Sequence, residues 1–156
     1  HKKHKNVGTV LQSMLLRTPS DIEELIRQRI RVRIVKGAYL EPESAAFQKK
    51  KDVDQAYLAC ACKLIRDGVF PAIATHDANI IEKIEHFVQL EGISPGRFEY
   101  QLLYGIRRGL QEQLRKRGRI VRVYVPYGSS WYPYFTRRLA ERPANLLFFI
   151  RSLFSR

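Results

Sequence analysis

Five short runs of β-branched and aromatic residues recur along the chain, and their alternation with amphipathic stretches constrains the fold more than any other feature. Each run predicts a strand of about five or six residues. The runs are 7–12, 32–36, 70–75, 98–103 and 120–125. Regular alternation of strands with helices favours a parallel sheet with right-handed crossovers. An open doubly wound sheet and a (β/α)8 barrel both satisfy this order. Without an internal repeat or a Gly/Ser-rich linker, a single domain is predicted.

The stretches between the runs carry apolar residues at helical spacing. The first predicted helix begins near Ser20, where Ser20 and Glu23 form a capping box. Further helices are predicted over about 53–67, 79–90 and 110–117, with a fifth after the last strand at 130–142. The chain is therefore expected to be a succession of five strand–helix units.

Composition limits the class of protein. Apolar residues make up 45% of the chain, which excludes a disordered polyelectrolyte. The longest strongly apolar run, 146–150, is far shorter than the ~20 residues of a membrane-spanning helix. Two cysteines do not form a secreted disulfide framework, so we expect a cytoplasmic protein. Cys60 and Cys62 would point to different sides of a helix and could not bind one ion together, so we expect no metal site.

The chain is strongly basic, with 28 Lys and Arg residues against 15 Asp and Glu residues and a formal net charge of +13. Such a charge is typical of proteins that bind nucleic acid or an anionic membrane surface. The basic residues are nevertheless scattered, and no homeodomain, zinc-finger or RNP pattern accompanies them. A solvated basic surface is the favoured interpretation, with no nucleic-acid partner expected. A basic nucleic-acid-binding domain is the less favoured alternative.

Polar residues stand at or just past the C-terminal end of every predicted strand. They are Gln12, Lys36, Thr75, His76, Gln101 and Tyr124. In parallel α/β folds this rim carries binding and catalysis, so a functional site is predicted there. The chain has no Gly-x-Gly-x-x-Gly and no P-loop lysine motif, which means that any nucleotide cofactor is held in another way.

The second strand carries the strongest single signal. Alternation places Arg33 and Val35 on one face, which would be the interior of a barrel. A buried arginine needs an anionic or electron-rich partner. Gly37 and Ala38, just beyond, allow a bulky planar ligand to approach the backbone. The simpler interpretation is an edge strand with a solvated arginine.

The third strand ends in Thr75, His76 and Asp77, which together offer donors and acceptors for a sugar or a phosphate. The simpler interpretation of this stretch is that Asp77 caps the following helix.

The predicted last helix carries two adjacent arginines. Arg137 and Arg138, with Tyr134 one turn before, have the planar donors that bind a small carboxylate. Arg137 is also spaced for an ordinary surface pair with Glu141, and these residues alone favour that interpretation.

Taken in order, several motifs closely resemble the proline dehydrogenases in their monofunctional bacterial form. They are Arg-Ile-Val-Lys-Gly-Ala-Tyr at 33–39, Ala-Thr-His-Asp at 74–77, Tyr-Gln-Leu-Leu-Tyr-Gly at 100–105, Val-Tyr-Val-Pro-Tyr-Gly at 123–128 and Tyr-Phe-Thr-Arg-Arg-Leu-Ala-Glu at 134–141. The resemblance implies an α/β fold, a distorted (β/α)8 TIM-like barrel. It covers about strands four to eight with their helices, so residues 1–156 are expected to be the C-terminal portion of an FAD-binding barrel domain.

The resemblance also implies an activity. Members of the family oxidise L-proline to Δ1-pyrroline-5-carboxylate, the first step of proline catabolism to glutamate, by hydride transfer to N5 of non-covalent FAD. A membrane quinone then accepts the electrons, which would bring the protein into peripheral contact with the inner face of the membrane. The alternative is a truncated, inactive fragment that keeps the fold. The oligomeric state is left open.

The resemblance assigns roles residue by residue. Arg33, near flavin N5, and Tyr124, at the pocket wall, are the expected catalytic residues. Arg137 and Arg138 would bind the proline carboxylate, while Tyr134 and Leu103 would cover the ring. The expected cofactor contacts are Gln12, Lys36, Gly37, Ala38, Thr75, His76 and Gln101.

Overall fold

The computed structural model describes residues 3–4 and 6–128, and it shows one five-stranded sheet with helices between successive strands. The strands are β1 (Thr9–Gln12), β2 (Val32–Val35), β3 (Ala72–Ala74), β4 (Glu99–Leu103) and β5 (Ile120–Tyr124). The helices are α1 (Thr18–Arg27), α2 (Lys50–Asp67), α3 (Ala78–Leu90) and α4 (Arg108–Lys116), with a short 3-10 turn at Pro95–Arg97. The predicted fifth helix, at 130–142, lies outside the described residues.

The sheet decides between the two architectures that the sequence left open. All neighbouring strands are parallel, and their spatial order is the chain order β1-β2-β3-β4-β5. A doubly wound sheet reverses its order at a switch point, whereas a (β/α) barrel adds each strand beside the previous one. The described residues therefore form a partial barrel, as predicted.

The core lies between the sheet and the helices. Period-2 alternation buries one face of the strands, and the 3.6-residue period buries one face of each helix. Its buried residues include Ile34, Ile73, Tyr100 and Leu102 from the strands, with Tyr57, Leu64, Ile65, Ile81, Ile84 and Val88 from α2 and α3. Cys60 is buried among them.

The start of α1 differs from the prediction. The helix begins at Thr18, and Ser20 lies inside its first turn, where its hydroxyl donates to the Arg17 carbonyl at 2.7 Å. The capping box with Glu23 is therefore wrong. Pro19 suits the first helical turn because its φ is already helical. The buried Thr18 hydroxyl donates to the carbonyl of Gln12 at 2.6 Å, which ties the helix start to the end of β1.

The opposite face of the sheet is the inner face of the barrel. Register places Arg33 in a row with Ala72, Glu99 and Ile120. On the two edge strands this face is open, since Val10 is 51% exposed and Ile120 is 41% exposed. Within the described part of the chain, no helix combines the length and apolar character needed to cross a bilayer.

Candidate active site

Two adjoining pockets open at the C-terminal ends of the strands, where the sequence placed the site. The larger, of about 700 Å³, is lined among others by Gln12, Arg33, Lys36, Gly37, Ala38, Thr75 and His76. The smaller, of about 320 Å³, is lined by Arg33, Val35, Ala74, His76, Gln101, Leu102, Leu103 and Tyr124. The structure thus brings together all the candidate residues that it describes. Tyr134, Arg137 and Arg138 lie outside the described residues.

Arg33 lines both pockets from the inner face of β2. Its Nε is buried and has no hydrogen-bond partner among the described residues. A buried donor on a cationic group is costly unless it meets an acceptor. The position therefore suits an anionic or electron-rich ligand atom. The alternative interpretation, a solvated arginine on an edge strand, does not describe it.

Lys36 is held by two carboxylates. Its Nζ donates to Asp54 Oδ1 at 2.5 Å and to Asp77 Oδ2 at 2.9 Å, and the side chain is only 17% exposed. Burial is the largest single influence and acts to raise the pKa of both carboxyls. The hydrogen bonds and charges of Lys36 and Lys50, with the Ile80 N–H on Asp77, together outweigh it and hold each pKa below its ordinary value. The ammonium thus links β2 to α2 and to the start of α3. Because the Lys36 side chain is engaged in these contacts, a ligand at this segment would meet its backbone.

Gly37 follows in a conformation that favours glycine, with φ of +108°. A Cβ at this position would stand 2.1 Å from Met14 Sδ and 3.0 Å from Gln12 Oε1. The absent side chain therefore makes room for Met14 and for Gln12, a residue that lines the larger pocket.

The residues that follow β3 cap helix α3 and form a hydrogen bond to strand β4. The Asp77 carboxylate accepts from the Ile80 backbone N–H at 3.4 Å, so the simpler interpretation of this stretch is confirmed. Thr75 Oγ1 accepts from the Asp77 backbone N–H at 3.1 Å. His76 Nε2 accepts from the backbone N–H of Leu103 at 2.9 Å, across to β4.

Sequence reasoning missed a buried carboxylate on the inner face. Glu99 is fully buried and accepts from Gln101 Nε2 at 2.6 Å. It also pairs with Arg31 at 2.7 Å and with Arg122 at 2.9 Å. Burial acts to raise its pKa, but these donors hold the pKa below the ordinary range. A charged residue at an inward position of β4, two residues before the polar Gln101, was the available signal.

Asp54 was missed as well, because it stands on the helical stretch after the Lys-Gly-Ala segment and nothing local marks it as a partner of Lys36. In the described residues, no group of three His, Cys, Asp or Glu side chains is placed to hold a metal ion.

Comparison with known proteins gives the family. The family model described as proline dehydrogenase matches residues 1–151. The chain belongs to the proline dehydrogenase family. It is 48% identical to the proline dehydrogenase of Deinococcus radiodurans over 149 residues, which are 96% of this chain and 48% of that protein. It is 45% identical to proline dehydrogenase 2 of Bacillus subtilis strain 168, over 97% of this chain and 50% of that protein.

Solved structures of proline utilization A proteins show the same fold. A bifunctional proline utilization A protein superposes with a TM-score of 0.79 at 29% identity, over 97% of this chain and 18% of that one. The Bdellovibrio bacteriovorus proline utilization A, solved after inactivation by N-propargylglycine, gives 0.78 at 25% identity, over 89% of this chain and 17% of that one. The chain spans about half the length of the curated proline dehydrogenases it matches.

Proposed function

We propose that residues 1–156 are the C-terminal portion of an FAD-binding barrel domain that oxidises L-proline to Δ1-pyrroline-5-carboxylate. The observation that carries the proposal is the meeting of seven candidate cofactor and catalytic residues in one strand-end pocket of a proline dehydrogenase family chain. Those residues are Gln12, Arg33, Lys36, Gly37, Ala38, Thr75 and His76.

The pocket fits a flavin on physical grounds. Arg33 Nε is a buried donor without a partner among the described residues, and an electron-rich ring edge would supply the acceptor. The backbone at Gly37 and Ala38 is open to a planar ring because the Lys36 side chain is drawn aside by its two carboxylates. When bound, FAD supplies the two-electron acceptor for a hydride from proline C5.

The chain's own residues would position the substrate and stabilise charge that develops in the reaction. Arg33 would place positive charge where negative charge develops on the cofactor during hydride transfer. Arg137 and Arg138 bind the proline carboxylate with planar donors and so fix which face of the ring is presented. Tyr134 and Leu103 cover the ring, and the Tyr124 phenol stands at the wall of the smaller pocket. Gln12, Thr75, His76 and Gln101 complete the cofactor contacts.

The proposal extends to the partners. Electrons pass to a membrane quinone, and the protein is cytoplasmic with peripheral contact at the inner face of the membrane. The net charge of +13 favours approach to an anionic bilayer. The second candidate, an inactive fragment that keeps the barrel architecture, is favoured by the open inner face of β1 and β5.

The test joins this chain to the first half of the Deinococcus radiodurans proline dehydrogenase, which supplies the strands that complete a barrel. We expect a yellow protein that reduces a dye when L-proline is added, with the parent Deinococcus enzyme as the positive control. A folded, monomeric hybrid that holds flavin and leaves proline untouched would reject the proposed activity and support the inactive fragment. A folded hybrid without flavin would reject the cofactor site.

A further inference from the structure

β3 ends before its neighbour β4. The last register pair between them joins Ala74 to Gln101, while β4 continues to Leu103. The Glu99 N–H donates to the Pro71 carbonyl on the β3 side at 3.1 Å, and the Tyr104 N–H donates to the Tyr124 carbonyl on the β5 side at 2.9 Å. Because strand residues alternate with a period of two, the N–H of Leu103 also faces the β3 side, past the end of β3's ladder.

The imidazole of His76 accepts this N–H in place of the backbone carbonyl that a longer β3 would supply. Its Nε2 lies 2.9 Å from the backbone nitrogen of Leu103 and accepts that N–H. A ring nitrogen accepts only when it carries no proton, and a neutral imidazole then has its proton on the other nitrogen. The backbone of β4 therefore selects one protonation state and one tautomer of His76, with the hydrogen on Nδ1.

We propose that His76 is a positioning residue, locked as the neutral Nδ1–H tautomer, that holds Leu103 at the pocket wall. In this tautomer Nδ1 is a donor, so a ligand atom that met it would have to be an acceptor, such as a phosphate, hydroxyl or carbonyl oxygen. His76 lines both pockets and Leu103 also lines both, so one ring joins the two pockets that hold the cofactor and substrate contacts of the proposed function, on which this inference rests.

The surroundings oppose a charged imidazole. Burial lowers the pKa of His76, and the nearby Arg107 lowers it further. The titratable or charged groups of the described elements that share its pockets are Arg33 of β2, Lys36 and Tyr39 of the following loop, Lys50 of α2, Asp77 at the start of α3 and Tyr124 of β5. Cations outnumber the single carboxylate, and that carboxylate is already engaged by Lys36. As the pH falls and Nε2 gains a proton, the link to Leu103 is lost.

The first experiment reads the tautomer directly. In the chain labelled with ¹⁵N-histidine and without flavin, two-bond proton–nitrogen spectra at pH 7.5, or magic-angle-spinning spectra if the chain associates, assign the protonated nitrogen. We expect Nδ1–H at His76, with its pKa below the ordinary 6.5. The Leu103 amide shift should move with the same midpoint. The exposed imidazole of His86 on α3 serves as the internal reference signal. An Nε2–H tautomer, or a Leu103 amide indifferent to the titration, would overturn the inference.

Two substitutions separate the hydrogen bond from packing. In His76→Gln the amide oxygen can accept the Leu103 N–H, whereas His76→Phe keeps a ring of similar size and cannot accept it. We expect Leu103 amide exchange to be roughly fivefold to tenfold faster in the Phe variant and near the parent rate in the Gln variant. Equal exchange in both variants contradicts the proposed link. These measurements need no flavin. They can therefore reject the His76–Leu103 hydrogen bond without rejecting the proposed activity, and the hybrid experiment can do the reverse.

Discussion

At the scale of single residues, the site depends on side chains that hold other side chains. Lys36 shows this most clearly, because its ammonium is placed between Asp54 and Asp77. The interaction crosses from β2 to two helices, so its loss affects the shape of the pocket as well as the stability of the fold. Glu99 acts in the same way on Gln101 from the inner face of β4.

The pairing of Lys36 should be visible in the pH dependence of stability. Lys36→Met should lower the free energy of unfolding at pH 7 by about 1–3 kcal/mol, less than a fully buried pair because all three groups are partly hydrated. The lowered pKa values of Asp54 and Asp77 stabilise the fold above their unfolded value near 3.8, and this stabilisation is lost as the pH falls through their folded values. Urea unfolding from pH 7 to pH 3 should show a shallower pH slope in the variant.

Lys63→Met is the matched control for that experiment. Lys63 pairs with Asp67 at 3.1 Å on the exposed side of the same α2 helix, and its removal should cost less than about 1 kcal/mol. Equal losses for the two lysine variants would show that Lys36 is an ordinary surface lysine.

The two arginines of the last predicted helix are tested in a protein with a complete barrel. Arg137→Met or Arg138→Met should raise KM for proline much more than it changes flavin content. Loss of one partner of a buried ion pair costs roughly 3–5 kcal/mol, which corresponds to about 10²–10⁴ in kcat/KM. Steady-state kinetics with Arg115→Met, a change on α4 away from the pockets, supply the control. Values within a factor of three of the parent protein would reduce the pair to a surface feature.

The phenol of Tyr124 is tested by its removal alone. Tyr124 ends β5 and lines the smaller pocket, with 49% of its surface exposed. In the same complete barrel, Tyr124→Phe should lower kcat/KM for proline while FAD stays bound, as judged by the visible spectrum. Unchanged kinetics would make Tyr124 a packing residue.

At the scale of elements, a polar triad ties α3 to the sheet. The Tyr100 hydroxyl donates to Glu85 Oε1 at 2.7 Å, and Arg119 Nε donates to Glu85 Oε2 at 2.9 Å. Tyr100 belongs to β4, Glu85 to α3 and Arg119 to the approach of β5. One carboxylate therefore sets how the helix packs across two strands. Burial, followed by the Glu85 charge, raises the pKa of Tyr100, so the phenol remains a donor.

Tyr100→Phe should destabilise the protein by about 1.5–3 kcal/mol, the range for a hydrogen bond to a charged group. Tyr57→Phe is the matched control, since that buried phenol donates to the Ile34 carbonyl at 3.4 Å. Its loss should cost less than about 1 kcal/mol because the bond is long and uncharged. Urea unfolding of both variants measures the difference, and a Tyr100 effect no larger than that of Tyr57 would contradict the role given to the triad.

At the scale of the whole molecule, the described sheet has two edges, β1 and β5, and an inner face that is partly open. A closed barrel has no edges and fills its interior with layers of side chains from all its strands. The five described strands supply only part of those layers, and the wall opposite the candidate site is missing from them.

Residues 1–156 alone should therefore bind FAD weakly or not at all, oxidise no proline and associate through the strand edges. Light scattering on a sizing column, the visible spectrum after incubation with FAD and dye-linked proline oxidation measure the three properties. A yellow, active monomer of 18.2 kDa would overturn this expectation.

Local patterns were enough to predict much of the fold. The period-2 runs located all five described strands, although each strand is one to three residues shorter than predicted, β3 (Ala72–Ala74) the most. Helical spacing located α2, α3 and α4 to within a few residues at either end. These signals are local, since burial of one face requires only that neighbouring residues alternate correctly.

The sequence by itself also determined which residues stand at the strand ends, because chain direction in a parallel sheet places them on one rim. Only the tertiary structure decided what each of them touches. Lys36 reaches residues 18 and 41 positions away, and His76 meets a backbone N–H 27 positions away. Such contacts depend on strand register and on where a neighbouring strand stops. A local pattern contains neither, so the partners of the site residues became visible only in the assembled sheet.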